Sequence, residues 1–341
     1  MGQPDIKKQT TFSSFAIHIF DSVLIQYKLS NMSAKQPTLL DLPIAVANHV
    51  LEKLKLNELW TCRKVCRSLR TAVDNFGAQF TDLSVVLDED SVRIQLDRIE
   101  IIYRNCSLLS GSSVWCNNEW KYLEGENCLK LAFNDLKILL KHASCLYIIS
   151  YLNDQDREHA VNSLVDVLKK EVDIHMKTIS LHRDLSIDDI VLILPLFNSQ
   201  TLRKLWIRGI FPAHDFERIT HLDQWKKAKK FKLWETSWEC LPIEYFFHFE
   251  KFRIDIVKNH DIPIQSVIKI RDDLLQRSTF RKCVISVINV NFNPELARIF
   301  QPDYAGCDEF TMEYSTGKSK FEIYYGIYEF MNMWQLRIKR C

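Results

Sequence analysis

The sequence predicts an α/β protein in two parts. A three-helix module near the N-terminus is followed by strand–helix units that end in a β-hairpin. Three observations predict this. Apolar residues recur at helical spacing across residues 39–70. Six segments between Cys145 and Ile288 alternate apolar and polar with period two, and helical patterns separate them. A final stretch, EFTMEYSTGKSKFEIYYGIYEF, alternates on both sides of Ser315-Thr316-Gly317.

The 341 residues give room for about two domains. Lys+Arg 45 against Asp+Glu 43 leaves a net charge of +2, which predicts no strong field toward nucleic acid or a membrane. With 8 Gly and 9 Pro there is little material for long disordered linkers. The 10 cysteines are scattered, with no CxxC and only Cys62 and Cys66 a helical turn apart. That excludes a compact zinc site or a secreted disulfide framework, and it points to reduced thiols in the cytoplasm or nucleus. Residues 11–29 are apolar, but His18 and Asp21 interrupt them and no small-residue cleavage site follows. They read as neither a membrane span nor a signal peptide. Residues 1–37 are expected to be a flexible extension, with Met32 a candidate start of the working chain.

In LLDLPIAVANHVLEKLKLNELWTCRKVCRSLR, Pro43 suits the first turn of a helix, where its missing amide costs nothing. Val46, Val50, Leu51 and Leu54 follow at helical spacing. Asn57 can cap a second helix carrying Leu59, Cys62, Val65, Cys66 and Leu69, and a third is expected from about Arg67 to Phe76. Three helices in about 40 residues make too small a core to stand alone, so the apolar surplus must pack on a partner or on the rest of the chain.

This stretch resembles an F-box: Leu42-Pro43, then Val50, Leu54, Leu59, Val65 and Cys66 at the spaced apolar positions, with Leu69 where many F-boxes carry Trp. The resemblance implies that Leu40, Leu42, Pro43, Val46, Val50, Leu54, Leu59, Val65, Cys66 and Leu69 dock a Skp-type adaptor, and through it a cullin of a cullin–RING ubiquitin ligase.

The six alternating segments are CLYIISYL, KTISLHR, RKLWIRG, KKFKLWE, KFRIDIV and RKCVISVI. Aligned on the first inward residue they give Leu146, Ile179, Leu205, Phe231, Phe252 and Cys283, at intervals of 33, 26, 26, 21 and 31 residues. Between them lie FNDLKILLKHA, DREHAVNSLVDVLKKEV, SIDDIVLILPLF, DFERITHLDQWKKA and PIQSVIKIRDDLLQR, with PIEYFFHFE short for a helix. Asn134 and Asp154 are candidate caps, and Ser186 with Asp189 forms a capping-box-like start. One strand plus one helix cannot bury its own apolar face. Stacking into a degenerate leucine-rich-repeat-like α/β solenoid is therefore expected, the competing arrangement being a doubly wound sheet. The C-terminal hairpin is expected to close an open sheet edge.

LILPLFNSQTLRKLWIRG, HLDQWKKAKKFKLW, FHFEKFRI and IRDDLLQRSTFRKCVI together resemble the FTH domain, which follows the F-box in an expanded nematode family. The resemblance spans about residues 130–290 and implies a receptor whose C-terminal part selects target proteins. The expected boundaries are an extension at 1–37, the F-box at 38–80, connecting strands and a hairpin at 81–129, FTH-like repeats at 130–300, and a β-hairpin cap at 301–341.

Catalytic signatures are absent. TGKS at 316–319 lacks the Gly a phosphate loop needs, with Met at position 312. HFE at His248 has no Pro-Cys-x-x-Cys after it. No GxSxG or HExxH occurs, and the pairs Asp188-Asp189 and Asp272-Asp273 read as helix decoration. No cofactor or metal is called for. In WKKAKKFK, the lysines at 226, 227, 229 and 230 are placed at a helix end, where positive charge suits the dipole, so nucleic acid is not the expected ligand.

Strand alternation then singles out a face. With Leu205 and Ile207 inward, Trp206 and Arg208 point outward, as do Lys232 with Trp234 and Arg253 with Asp255; His182 flanks them. Aromatic and Arg side chains on one face suit protein recognition, so these seven are the expected target-binding residues. The reading is a non-enzymatic substrate receptor of a ubiquitin ligase. The alternative is a ligase-independent protein- or RNA-associated scaffold.

Overall fold

The computed structural model divides the chain into two units, Met1–Gln79 and Phe80–Cys341. It describes residues 44–54, 58–59, 62, 69, 71–73 and 80–341, except 98, 107–109, 117–118, 172, 237–241, 257–261, 289–292, 307–308, 318 and 329–332.

In the first unit, helix α1 spans Ile44–Lys53, and residues 58–59, 62, 69 and 71–73 are also helical. Val50, Leu51, Leu59 and Val73 are buried together, with Val46, Leu54, Cys62, Leu69 and Ala72 packed against them. The i, i+4 spacing of Val46, Val50 and Leu54 puts one apolar stripe on one side of α1. Leu40, Leu42, Pro43, Asn57, Val65 and Cys66 lie outside the described residues.

Among the described residues of the second unit, fourteen strands form one mixed sheet. Strands β6 (Ala143–Ser150), β7 (Thr178–Arg183), β8 (Lys204–Arg208), β9 (Lys230–Thr236), β10 (Lys251–Ile256) and β11 (Lys282–Ile288) are mutually parallel. They lie side by side in chain order, without reversal. Leu146, Ile179, Leu205, Phe231, Phe252 and Cys283 stand in one cross-strand row, as the alignment of the segments predicts, and all are buried.

The helical connections pack on that inward face. They are α2 (Cys128–Leu139), α3 (Asp154–Leu168), α4 (Ile187–Ile193), α5 (Ala213–Thr220), α6 (Asp223–Lys227) and α7 (Ile264–Lys269). Phe231 meets Trp225 of α6 at 4.6 Å between ring centroids and Phe249 at 5.1 Å. The segment PIEYFFHFE holds only a 3-10 turn, Ile243–Phe246. DFERITHLDQWKKA, expected as one helix, is split into α5 and α6, and α7 runs into a π-helical turn, Ile270–Leu274.

Three local expectations are corrected. Asn127, not Asn134, caps α2: its side chain accepts from the amides of Leu129 and Lys130. The helix starts a turn and a half earlier than Phe133 because Cys128, Ala132, Phe133, Leu136 and Leu139 form a continuous buried stripe, with Asn134 exposed mid-helix on the other side. Asn153, not Asp154, caps α3, while Asp154 sits in the first turn and pairs with Arg157 at 2.5 Å. Lys230 is not at a helix end but opens β9, since α6 stops at Lys227. The Ser186–Asp189 capping box does form.

The flanks of the sheet are larger than a hairpin each. β1 (Phe80–Asp88), β2 (Ser91–Leu96), β3 (Ile99–Asn105), β4 (Gly111–Cys116) and β5 (Glu119–Glu124) form an antiparallel meander, and β1 joins β6 in parallel. Tyr103 of β3 donates to Asp135 of α2 at 2.6 Å, tying the meander to the helical layer. At the other end β12 (Phe310–Thr316) and β13 (Ser319–Tyr328) turn where Thr316 pairs Ser319. A third strand, β14 (Met333–Arg340), completes the group and pairs β11. The C-terminal cap is thus three strands rather than two. Gln335 is buried within β14 because its amide donates to the Ser286 hydroxyl at 3.3 Å.

Candidate functional site

The register that buries Leu205 and Phe231 fixes what stands on the opposite face. Trp206 is level with Lys232, Lys232 with Arg253, Arg208 with Trp234, and Trp234 with Asp255. Neighbouring strands are about 4.8 Å apart, so these side chains stand side by side.

The Trp206 and Trp234 rings meet edge to face at 5.7 Å. His182 reaches Trp234 at 5.4 Å, and Tyr147, which the sequence reading did not single out, reaches Trp206 at 6.2 Å. The Lys232 ammonium lies over Trp234, 3.8 Å from its centroid, and 5.9 Å from that of Trp206. Arg253 Nε donates to both carboxylate oxygens of Asp255, at 2.8 and 2.9 Å. All seven expected target-binding residues therefore share this face, with Arg208 beside Trp234 in register. Trp206, Trp234, Lys232 and Arg253 are half-buried, and Asp255 is 6% exposed. Burial pushes the Lys232 ammonium down, and Arg253 adds to this while Asp255 opposes it.

One feature of this face was missed. Lys204, Lys230, Lys251, Lys282 and Lys339 are neighbours in one row across β8, β9, β10, β11 and β14. The signal was present in the segment alignment, since four of the six segments carry Lys immediately before the first inward residue. The fifth lysine comes from β14, which the sequence reading did not anticipate.

Elsewhere, an open cleft of about 730 Å³ lies where β7 and β8 end, lined by Arg183, Ser186, Asp188, Phe211, Asp215 and Arg218 among others. Its charges serve the fold: Arg218 pairs with Asp188 at 2.7 Å, and Ser186 is engaged by Asp189 as a helix cap. His248 is held between the carbonyls of Tyr245 and Trp225, at 3.1 and 2.9 Å, and burial pushes its pKa down. Among the described residues no three His, Cys, Asp or Glu side chains converge as a metal site, and no helix is long and apolar enough to cross a membrane.

In the first unit, Val50 and Leu59 are 6% and 5% exposed and hold the module together, whereas Val46, Leu54 and Leu69 are only partly covered.

Comparison with known proteins bears on both units. Residues 39–78 match the F-box domain and residues 158–303 the FTH domain. F-box A protein 224 of Caenorhabditis elegans is 27% identical over 284 residues, covering 80% of this chain and 72% of that protein. The catalytic domain of the CPx-ATPase CopB-B, a solved structure, covers 51% of this chain and 65% of its own at 11% identity. Its TM-score of 0.13 carries no argument about the fold.

Proposed function

The chain carries an F-box followed by an FTH domain, and from that premise we propose that it is the substrate-recognition subunit of a cullin–RING ubiquitin ligase. The single observation that carries the proposal is the F-box match over residues 39–78, upstream of a sheet with a clustered aromatic and cationic face. The first unit docks a Skp-type adaptor through Leu40, Leu42 and Pro43 with the partly covered Val46, Leu54 and Leu69. Val50, Leu59, Val65 and Cys66 belong to the same apolar set, and Val50 and Leu59 act by shaping the module.

The parallel strands in chain order support reading β6–β11 as a degenerate leucine-rich-repeat-like solenoid, a form that leaves one strand face free for a partner. On that face Trp206, Trp234, His182, Arg208, Lys232, Arg253 and Asp255 bind the target. The chain does no chemistry of its own. It holds a target near the ligase's active centre, where proximity alone supplies a large rate gain. The site of action is the cytoplasm or nucleus.

The double variant Trp206→Ala/Trp234→Ala tests the target face. Each buried aromatic anchor is worth about 2 kcal/mol or more, about thirtyfold in affinity, so the double variant should lose several hundredfold, on the order of 4 kcal/mol, for a co-purifying target with the thermal transition retained. Unchanged target capture would remove these residues from the assignment.

A further inference from the structure

Five lysines in register on five adjacent strands are not what the fold requires. Lys204, Lys230, Lys251, Lys282 and Lys339 point to the same side as Lys232, because Leu205, Phe231, Phe252, Cys283 and Ile338 next to them point inward. Like charges directly opposite across strands destabilise a sheet. Lysines often guard exposed sheet edges, yet these strands are interior, with β7 on one side of the row and β13 on the other. Among the described residues none of the five makes an ion pair, although nearby Lys229 pairs with Glu250 at 2.8 Å. The next row adds Lys232, Arg253 and Arg337, and a groove of about 210 Å³ runs between Trp206, Lys230, Lys232, Lys251, Arg253 and Lys282. Burial depresses the Lys282 ammonium, and Arg337, Lys251, Lys339 and Arg253 depress it further, although Arg253 is paired with Asp255 and Arg337 with Glu322.

We propose that this lysine row docks an acidic polypeptide segment, rich in Asp and Glu, of the target protein; this rests on the receptor reading above and names the chemistry of its partner. The charge is complementary and the length is bounded. Four inter-strand steps span about 19 Å, the reach of about six extended residues. Beyond the row stand carboxylates. Glu322 pairs in register with Lys339, and Asp82 lies on the same side past Cys145 and Thr178. A long polyphosphate running past either end would meet them, whereas a short acidic segment fits between. The indole faces that could stack bases are occupied, since Lys232 lies on Trp234 and Trp206 packs edge to face with Trp234 and Tyr147.

The test is fluorescence anisotropy on the full chain with a labelled six-residue Glu/Asp peptide, its Gln/Asn counterpart, and single-stranded oligo-dT of matched charge. Lys230→Gln/Lys251→Gln/Lys282→Gln is compared with a control of equal charge change off the face, Lys130→Gln/Lys169→Gln/Lys170→Gln. The proposal expects the acidic peptide to bind, the Gln/Asn peptide not to, the face variant to lose at least tenfold in affinity, and the control variant to keep it. The single variant Lys251→Gln, at an exposed position, should show a smaller loss in the same direction should the triple variant not fold. Equal loss in face and control variants, no binding of the acidic peptide, or tighter face-dependent binding of oligo-dT overturns it. Adaptor capture is measured on the same preparations. Capture without peptide binding defeats this inference alone, and peptide binding without capture defeats the ligase reading alone.

Discussion

Phe231→Ala tests the alternation on which the whole site depends. Phe231 is 3% exposed, and its ring packs at 4.6 Å on Trp225, 5.1 Å on Phe249 and 5.5 Å on Phe246, all from the segments that connect the strands. Truncating a packed core Phe costs about 3–5 kcal/mol, and the loss of several aromatic contacts places this site toward the upper end. In a unit of this size each kcal/mol lowers the thermal midpoint by about 2–4 °C, so a fall of about 8–20 °C is expected. Lys232→Ala, one residue along the same strand, removes a side chain from the opposite face and should shift the midpoint by no more than about 2 °C. The assay is thermal unfolding followed by near-UV circular dichroism, which reports this aromatic cluster. A shift below about 3 °C for Phe231→Ala, or an equal loss for Lys232→Ala, would mean the two faces are assigned the wrong way round, and the candidate site would go with them.

Two further outcomes follow from the same geometry. The Lys282 ammonium is depressed by burial and then by its cationic neighbours. The unfolded chain therefore binds more protons between the folded value and about 10.4; the penalty is fully present below the folded value and is relieved as pH rises. Lys282→Gln should accordingly be more stable than the parent at pH 7, with an advantage that shrinks toward pH 10 in parallel denaturant titrations; a constant difference would contradict this. Cys283 is fully buried and its thiol is pushed up to about 12, so iodoacetamide at pH 8 should leave it unmodified in the folded protein while labelling the exposed Cys341. Peptide mapping checks this, and native labelling of Cys283 would contradict the position of β11 in the sheet.

The ladder from Leu146 to Cys283 was legible because period-two alternation is a local property that each strand carries by itself. The helix starts were less so. Asn134 and Asp154 looked like caps, but the buried stripe of α2 begins at Cys128, and Asn153 stands one residue before Asp154. β14 carries its own alternation, with Trp334, Leu336 and Ile338 between Gln335, Arg337 and Lys339; what the sequence could not show is that Gln335 is buried, because its partner, the Ser286 hydroxyl, is 49 residues away. The lysine row was partly legible: Lys204, Lys230, Lys251 and Lys282 each stand immediately before the first inward residue of their segment, but the fifth, Lys339, comes from β14, and Lys230 reads as the end of a basic helix although a strand begins there. The outward face was readable because Trp206 and Trp234 each follow an inward residue in their own strands.

In the ligase reading, the apolar residues around Pro43 serve a separate polypeptide. The most direct test is calorimetric titration of the full chain with a purified Skp-type adaptor, alongside a Leu42→Glu/Pro43→Glu variant. One-to-one binding by the parent is expected, with a loss of at least about a hundredfold in the variant and the thermal transition of the sheet unchanged. No binding by the parent, or equal binding by both, would contradict it.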